Sequence, residues 1–370
     1  MRITGAVLRE MGRERPYAGS RPLAIEELEL DEPGPGEVLI RLTAAGVCHS
    51  DLSVVDGNRP RPLPMLLGHE GAGIVETLGP GVDDLSVGQS VVTVFLPRCG
   101  ECANCRTDGK LPCTPGSATN AAGTLPFDGH EVRLHDASGT EVLHHLGASV
   151  FATHAVVNRA SLVPIGADVP APIAAVLGCA VLTGGGAVLN AGAPRAQDEV
   201  MIVGLGGVGM AALLTALSIE TAGVIGVDAN PDKLERAREL GATEVFTPDQ
   251  LGDRKAAVVV ECAGHPRAFE TAFTATAVGG TTVTVGLPAP DAVSRITPVT
   301  LTAEARTVIG SYLGSAVSSR DIPVYAQLWR EGKLPVEELI SDTIGLHEIN
   351  AAFDALAEGT VVRQIIDFRR

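Results

Sequence analysis

The chain has 370 residues, enough for two domains with substantial cores, and its aromatic content of 3% predicts that those cores are aliphatic. A formal charge of −16 at pH 7 argues against nucleic acid or an anionic membrane as a partner. The first residues lack the apolar core of a signal peptide, and the uncharged runs 171–194 and 200–219 are interrupted by glycine clusters, so we expect a soluble cytoplasmic protein without a membrane span.

The first part of the chain has the pattern of a compact β-rich domain. Residues 3–8, 25–30 and 38–44 are predicted strands, and they are separated by turns rich in proline and glycine, notably at residues 33–36.

Two short motifs then bring metal-binding side chains into this domain. Residues 48–51 place a thiol, an imidazole, a hydroxyl and a carboxylate together as CHSD, and His69 follows within GHEG at residues 68–71. A lone cysteine or histidine is more often structural. A thiolate and an imidazole beside acidic residues favour zinc.

Four cysteines within fifteen residues form the pattern CxxCxxCx7C: Cys99, Cys102, Cys105 and Cys113. They can reach one tetrahedral ion from a single loop, and four thiolate ligands leave no open position, so the spacing predicts a structural zinc. Two disulfides are the competing interpretation, which a reducing compartment disfavours.

The remaining cysteines and most histidines occur in less distinctive surroundings. Residues 114–149 are polar and turn-rich and contain His130, His135, His144 and His145. We expect most of these histidines to be solvated. Residues 152–163 alternate like a strand, and residues 171–189 predict a helix that carries Cys179. Cys262 ends an apolar strand and is expected to be a small buried hydrophobe.

A dinucleotide site is predicted at residues 199–228. A short apolar strand at 199–203 leads directly into the GxGxxG motif at 204–209, and helix-forming residues follow. Gly204 makes the tight turn, Gly206 lets the backbone approach the pyrophosphate, and Gly209 lets the helix pack on the strand. The exposed amides at the start of the helix then face the phosphates.

Asp228 ends the next apolar strand, at 224–227. A carboxylate there can accept hydrogen bonds from both ribose hydroxyls and would repel a 2′-phosphate, which favours NAD over NADP.

The α/β rhythm continues beyond this unit, with helices at 232–240 and 267–277 and strands at 257–262, 281–285 and 308–312. This alternation predicts a parallel sheet covered on both faces. From about residue 314 the pattern changes to helices at 322–331 and 346–356 and a final strand at 362–368.

This organisation resembles the zinc-dependent medium-chain alcohol dehydrogenases over nearly the whole chain. The motifs that occur in family order are residues 48–51, residues 68–70, the four-cysteine run, Gly178-Cys179, the glycine motif with Asp228, and the turn at Gly359-Thr360 leading to Arg363. The resemblance implies an α/β fold, with a Rossmann doubly wound parallel sheet plus a β-rich GroES-like catalytic domain. The domains would be residues 1–179 (catalytic, with a structural-zinc lobe near 95–115), 180–314 (NAD-binding) and 315–370 (a return to the catalytic domain).

The resemblance implies that three residues are ligands of a catalytic zinc: Cys48, His69 and Cys179. A fourth position stays open for water or the substrate oxygen, and zinc acts as a Lewis acid that lowers the pKa of an alcohol so that hydride can pass to the nicotinamide. In this family pattern Asp51 lies behind His69 and fixes its tautomer, Glu70 lies near the ligands, and Ser50 takes the alcohol proton.

The resemblance also assigns residues to the cofactor and the substrate. From the glycine motif it assigns Gly204, Gly206, Gly207, Val208 and Gly209. Three further residues match positions around the nicotinamide: Thr183, Val285 and Leu287. Lys233 matches a position at the adenosine ribose, His49 and Arg363 match positions at the pyrophosphate, and Phe95 would line the substrate pocket.

Three residues depart from the family pattern. Ser53 stands where many members carry a relay histidine, which leaves the proton exit open. His49 replaces a frequent arginine and lacks its fixed charge, so pyrophosphate binding could be looser near neutral pH. Gln89 replaces an acid in a turn and should affect only local stability.

The function implied is hydride transfer between a primary or aryl alcohol and NAD, with one catalytic and one structural zinc per subunit. A thiol-adduct formaldehyde dehydrogenase of the glutathione or mycothiol type stays open as an alternative. Zinc-free quinone or enoyl reductases of this fold lack the cysteine ligands, and a non-catalytic nucleotide-binding oligomer would not need an open zinc position. The stretch between Cys113 and Phe151 keeps the long form of dimeric members, which favours a homodimer over a tetramer.

Overall fold

The structure is a computed structural model that describes residues 1–127 and 131–370. These residues divide into two compact units. The first comprises Met1–Cys179, Ser318–Ala326 and Ile340–Arg370, and the second comprises Ala180–Val317 and Gln327–Leu339. The boundary predicted after residue 179 falls at the same residue. The returning segment is interrupted, because the 3₁₀ turn Val336–Leu339 packs on the helix that follows the glycine motif and so belongs to the second unit.

The strands of the described residues are, in chain order, β1 Arg2–Leu8, β2 Leu23–Leu30, β3 Glu37–Val47, β4 Met65–Leu66, β5 Glu70–Leu78, β6 Ser90–Thr93, β7 Leu134–His135, β8 Leu143–His144, β9 His154–Asn158, β10 Leu162–Pro164, β11 Glu199–Val203, β12 Gly223–Val227, β13 Glu244–Phe246, β14 Ala256–Glu261, β15 Thr276–Thr284, β16 Thr307–Gly310, β17 Asp342–Ile344 and β18 Gln364–Asp367.

The α-helices are α1 Tyr17–Ser20, α2 His49–Val55, α3 Thr114–Ala122, α4 Ala171–Val176, α5 Leu182–Gly186, α6 Gly207–Leu217, α7 Pro231–Glu239, α8 Pro266–Thr274, α9 Pro298–Ala303, α10 Ser318–Arg330 and α11 Ile349–Glu358. The π-helical turn Leu177–Val181 joins α4 to α5, and a second π-helical turn, Ala187–Gly192, extends α5 into one longer helical run.

The first unit is built on two sheets. One has the strand order β7-β2-β1-β4-β8, and the other has the order β10-β6-β5-β3-β18-β17, with β9 also paired to β3. Burial alternates over the second half of β2, where Leu28 and Leu30 are buried and Glu27 and Glu29 are exposed, as in an antiparallel sheet with one wet face. A core cluster that includes Leu8, Ile40, Phe151 and Phe353 draws on both ends of the chain. The C-terminal strand β18 also belongs to this unit, where it pairs with β3.

The second unit is a six-stranded parallel sheet in the order β13-β12-β11-β14-β15-β16. The order reverses between β11 and β14, which is the switch point of a doubly wound sheet. Apolar side chains of the central strands, such as Met201, Ile225 and Val259, are fully buried. The predicted α/β organisation with a parallel sheet is confirmed.

The helix predicted at residues 171–189 is present and runs through the three glycines that were expected to rule out a membrane span. It covers Ala171–Gly192, is long and apolar enough to cross a membrane by length and composition, and 89% of its most apolar stretch is buried inside the protein. The glycines stay helical because they allow close backbone packing: a Cβ at Gly184 would overlap the carbonyl of Val208, and one at Gly186 would overlap that of Gly314. These contacts offset the cost of about 1 kcal/mol per helical glycine.

Some predicted elements have different limits in the structure. Residues 152–163, expected as one strand, form β9 and β10 separated by a 3₁₀ turn, because Asn158 accepts a hydrogen bond from the Ala160 amide and bends the chain. The helix after the glycine motif ends at Leu217, where Ser218 donates its hydroxyl to the Thr215 carbonyl. The polar stretch that begins at residue 114 opens with α3. His130, expected to be solvated, lies outside the described residues.

Candidate active site

Four metal-binding side chains from three separate stretches of the first unit converge in its interior. They are Cys48, His69, Glu70 and Cys179, and their ligand atoms all lie within 4.8 Å of one another. All four residues are buried. The Cys179 Sγ lies 3.6 Å from His69 Nε2.

Strand register places the first two ligands side by side. In the ladder between β3 and β5, Gly46 is paired with Glu70. Cys48 lies just after the end of β3 and His69 lies just before β5, so the antiparallel pairing holds both at the same edge of the sheet. The Thr93 hydroxyl, on β6, donates to the His69 carbonyl and fixes this end of the strand.

A departure from regular helix brings the third ligand to the same edge. Cys179 lies in the π-helical turn Leu177–Val181, directly after α4. Gly178 allows the turn to approach β6, since a Cβ there would overlap the carbonyl of Thr93. Single π-helical turns inside α-helices occur frequently at functional sites.

The donor set and its spacing fit zinc. Tetrahedral ligands at roughly 2.0–2.3 Å from a zinc ion lie about 3.3–3.8 Å apart, and the observed 3.6 Å between Cys179 and His69 falls in this range. A contact with the Cys179 thiol holds the pKa of Cys48 well below its usual value, while the same contact and burial raise the pKa of Cys179. Zinc binds cysteine as the thiolate, so metal binding at this site is coupled to loss of the thiol protons.

Asp51 orients the imidazole of His69. Its carboxylate accepts from the backbone amides of Cys48 (3.3 Å) and Gly68 (3.1 Å), and its Oδ1 lies 3.1 Å from His69 Nδ1. Burial alone would raise the pKa of Asp51, but the neighbouring histidines lower it further than burial raises it, so the carboxylate is ionised. An ionised Asp51 keeps the His69 proton on Nδ1 and leaves Nε2 free to bind a metal.

Glu70 and Arg363 form a buried ion pair beside the ligands. The Arg363 Nη1 lies 3.3 Å from Glu70 Oε1 and donates to the Val47 carbonyl at 2.9 Å. Burial raises the pKa of Glu70 to about 7, and Arg363 limits the rise. Arg363 is only 2% exposed, so the structure places it inside the unit beside Glu70. Its expected contact with the pyrophosphate remains a prediction.

Helix α2 carries the residues assigned to proton transfer. Cys48 caps this helix and its sulfur accepts from the Ser50 amide at 3.5 Å, which keeps Ser50 next to the ligand set. Ser53 donates its hydroxyl to the His49 carbonyl at 2.8 Å, and His49 is exposed. Phe95 lies edge-on to the His69 ring, with centroids 5.5 Å apart, a position suited to its expected role beside the substrate.

The four cysteines of the second motif also converge, from a single loop. The sulfur atoms of Cys99, Cys102, Cys105 and Cys113 lie within 4.8 Å of one another, and all four are free thiols rather than disulfides. Backbone amides donate to three of the sulfurs at 3.4 Å. Arg98 ties the loop together by donating to the carbonyls of Asn104, Cys105 and Leu111. The arrangement suits a closed structural zinc site.

The residues assigned to the dinucleotide lie in the second unit. Gly204 has φ +92°, which only glycine adopts easily, and a Cβ at Gly209 would overlap the Gly204 carbonyl, so both glycines have the predicted geometry. Gly207 and Val208 begin α6. The Asp228 carboxylate, at the end of β12, accepts from the amides of Leu205 (2.6 Å) and Asn230 (2.8 Å).

The other expected cofactor residues are spread over three elements of this unit. Thr183 lies in α5, Lys233 lies in α7, and Val285 and Leu287 follow β15, with Val285 buried and Leu287 exposed. Cys262, expected to be a small buried hydrophobe, is a free thiol that stays partly exposed. Desolvation by the surrounding protein raises its pKa well above its usual value.

Most histidines of residues 114–149 were expected to be solvated, but two of them are buried. His144 and His145 are each 1% exposed. The His144 Nε2 accepts from the Arg133 amide at 3.1 Å, and the His145 Nδ1 lies 3.0 Å from Asp51. These contacts offset part of the cost of burial, since the Nδ1 atoms of both rings have no hydrogen bond among the described residues. Sequence reasoning missed His145 because a histidine pair in a polar stretch carries no periodic signal.

Comparisons with known proteins agree with this geometry. Residues 34–167 match the alcohol dehydrogenase GroES-like domain, and residues 207–331 match the zinc-binding dehydrogenase family. The alcohol dehydrogenase class-3 of Drosophila melanogaster is 33% identical over 367 residues, which cover 95% of this chain and 96% of the relative. The NDMA-dependent alcohol dehydrogenase of Amycolatopsis methanolica is 35% identical over 365 residues, with coverage of 95% and 96%.

Solved structures resemble the whole chain as well. The alcohol dehydrogenase zinc-binding domain protein from Burkholderia ambifaria superposes with a TM-score of 0.91 at 31% identity, and the benzyl alcohol dehydrogenase from Acinetobacter calcoaceticus with 0.87 at 30%. Each match covers 99% of both chains. The chain therefore belongs to the zinc-dependent medium-chain alcohol dehydrogenases, and it is an alcohol oxidoreductase that uses zinc and a nicotinamide cofactor.

Proposed function

We propose that this enzyme oxidises a primary or aryl alcohol to its aldehyde and passes the hydride to NAD. The observation that carries the proposal is the buried set of two thiols and one imidazole at Cys48, His69 and Cys179. These three ligands leave a coordination position for the substrate oxygen while Glu70, the fourth side chain of the cluster, pairs with Arg363. When bound there, zinc supplies a Lewis acid that lowers the pKa of the alcohol hydroxyl. The benzyl alcohol dehydrogenase relative supports an aryl substrate.

The side chains around the ligands would do the rest of the chemistry. The Ser50 hydroxyl receives the proton of the alcohol. Asp51 holds His69 in the tautomer that binds metal, and Phe95, edge-on to His69, excludes water from one side of the pocket. Two zinc ions per subunit are expected, one at each cluster of ligands.

A substrate panel tests this proposal. Primary alcohols, aryl alcohols and adducts of formaldehyde with glutathione or mycothiol are assayed with NAD on enzyme of known zinc content. We expect the highest kcat/KM for a primary or aryl alcohol. A kcat/KM at least tenfold higher for a thiol adduct would replace the proposal by the thiol-adduct formaldehyde dehydrogenase alternative.

NAD is the proposed cofactor because the Asp228 carboxylate lies at the end of β12 and Ala229, rather than an arginine, follows it. Asp228→Ser removes the charge that repels a 2′-phosphate, so the preference for NAD over NADP should narrow by about 10- to 100-fold. The ratio of kcat/KM for the two cofactors measures this. A wild-type enzyme that prefers NADP would contradict the role given to Asp228.

We further propose a cytoplasmic homodimer. Strand β16 ends the parallel sheet, and no strand among the described residues pairs with its outer edge. Val308 on this strand and Val299 in the preceding α9 are exposed, and exposed edge strands of this kind are suited to pairing with a second chain. Light scattering at assay concentration tests the assembly, and a clean tetramer or monomer would contradict it.

A further inference from the structure

A second histidine contacts the carboxylate that orients the candidate zinc ligand. His145 Nδ1 lies 3.0 Å from Asp51 Oδ1, and His69 Nδ1 lies 3.1 Å from the same oxygen. The two imidazole rings meet edge to face, with centroids 5.6 Å apart and an angle of 82°. All three residues are buried, so Asp51 stands between two imidazoles without solvent to share its charge.

The backbone holds His145 rigidly in this position. His145 follows β8, which pairs with β4, and its amide lies near both the Ser149 hydroxyl (2.9 Å) and the Leu66 carbonyl (3.3 Å). The Ser149 hydroxyl also donates to the Leu66 carbonyl at 2.9 Å. The chain continues from Leu66 to His69 within three residues, so His145 is fixed to the segment that presents the ligand.

We propose that His145 is a positioning residue of the zinc centre: its ring confines the Asp51 carboxylate, and Asp51 in turn holds His69 with Nε2 directed at the metal. The backbone amides of Cys48 and Gly68 already hold the two carboxylate oxygens. The His145 ring closes the remaining side of Oδ1, so the carboxylate keeps the orientation in which it holds His69. Partners that orient a metal-binding histidine typically contribute 10- to 100-fold to metal affinity. The inference rests on the zinc site of the proposed function.

The neighbouring His144 provides a matched control. It is buried to the same extent as His145, but its Nε2 accepts from the Arg133 amide and not from the site. Substituting His144 therefore perturbs the same part of the core without touching Asp51.

The experiment measures zinc rather than activity alone. Wild type, His145→Leu, His145→Asn and His144→Leu are prepared with full zinc, and release of each zinc to a chelator is followed, together with the absorption spectrum of the cobalt-substituted catalytic site. His145→Leu should bind the catalytic zinc about 10-fold more weakly, the lower end of the range for a direct partner of a ligand because His145 acts through Asp51, and should change the cobalt spectrum. His145→Asn places an amide nitrogen at the Nδ1 position and should stay within about threefold of wild type, as should His144→Leu.

Zinc in the four-cysteine loop should be unaffected in every variant. If His145→Leu does not fold, His145→Gln replaces it, because its amide reaches the Nε2 position instead and should not rescue zinc affinity as His145→Asn does. Equal zinc affinity in wild type and His145→Leu, or in the Asn and Gln variants, would overturn the inference while leaving the proposed function intact. Wild-type protein with zinc only in the four-cysteine loop would overturn both.

Discussion

The two clusters of metal-binding side chains are constructed in opposite ways. The four-cysteine loop takes all its ligands from residues 99–113, and three of its four cysteines are partly exposed. The candidate catalytic cluster takes Cys48, His69 and Cys179 from distant parts of the chain, and all are buried. Backbone amides surround the sulfurs of the loop, whereas the catalytic cluster is surrounded by the charged groups of Asp51, Glu70 and Arg363.

This difference indicates different dependences on the metal. The loop has little apolar content, so its fold should rely on zinc. The catalytic cluster is held by the pairing of β3, β5 and β6, so its geometry should survive without the metal and its zinc can be used for chemistry.

Removing one catalytic ligand tests the comparison most severely. Cys48→Ser should lower kcat/KM by about 10⁴-fold, which corresponds to about 5.5 kcal/mol, because the Lewis acid is lost. Zinc content should fall from two to one per subunit with little change in melting temperature. Cys262→Ser, a free thiol outside both clusters, should keep both zinc ions. Metal analysis and steady-state kinetics measure these effects. Unchanged zinc content in Cys48→Ser would show that this residue is not a zinc ligand.

The next test removes one ligand from the four-cysteine loop. Cys105→Ser should release the structural zinc and destabilise the loop by about 4 kcal/mol, while the catalytic zinc is retained. Limited proteolysis should show new cleavage within residues 99–113. Glu101→Gln, an exposed change in the same loop, should behave like wild type. Resistance of Cys105→Ser to protease would mean that the loop folds without its metal.

Acid should destabilise the first unit through the buried His144. Burial lowers the pKa of His144 to about 3, whereas an unfolded histidine has a pKa near 6.5. Below pH 6.5 the unfolded chain binds a proton that the folded protein does not, so stability falls as pH falls. The free energy of unfolding should drop by about 2 kcal/mol between pH 7 and pH 5 from this residue alone.

His144→Gln should remove that component, because the amide oxygen can still accept from the Arg133 amide and does not titrate. Denaturant unfolding at several pH values measures the change, with His135→Gln, a partly exposed ring, as the control. A wild-type pH dependence in His144→Gln would show that His144 titrates in the folded protein.

The smallest expected effect concerns the proton of the alcohol, which has to leave the catalytic site during oxidation. The four-cysteine loop has no such step. Ser53 donates its hydroxyl to the His49 carbonyl and cannot act as a base near pH 7. Single-turnover oxidation should rise about two- to threefold with basic buffer at constant ionic strength, and Ser53→His should reduce that rise. Rates that stay flat with buffer in wild type and in His49→Gln would mean that the proton leaves by another route.

Local patterns in the sequence were sufficient to predict several parts of this protein. The spacing of Cys99 to Cys113 predicts one tetrahedral site because the ligands share a loop. The glycine motif after an apolar strand predicts the turn, and Gly204 and Gly209 have the expected geometry. The parallel sheet follows from alternating apolar strands and helices. In each case the determining interactions join residues that are near one another in the chain.

Other features depend on contacts between distant residues, and only the tertiary structure decided them. The register of β3 against β5 brings Cys48 beside His69, and a π-helical turn aims Cys179 at them. Return of the C-terminal strand to β3 buries Arg363 against Glu70, and the pairing of β8 with β4 carries His145 to Asp51. Residue type and spacing do not encode these pairings, because they arise from how two sheets and their connections pack around a shared core.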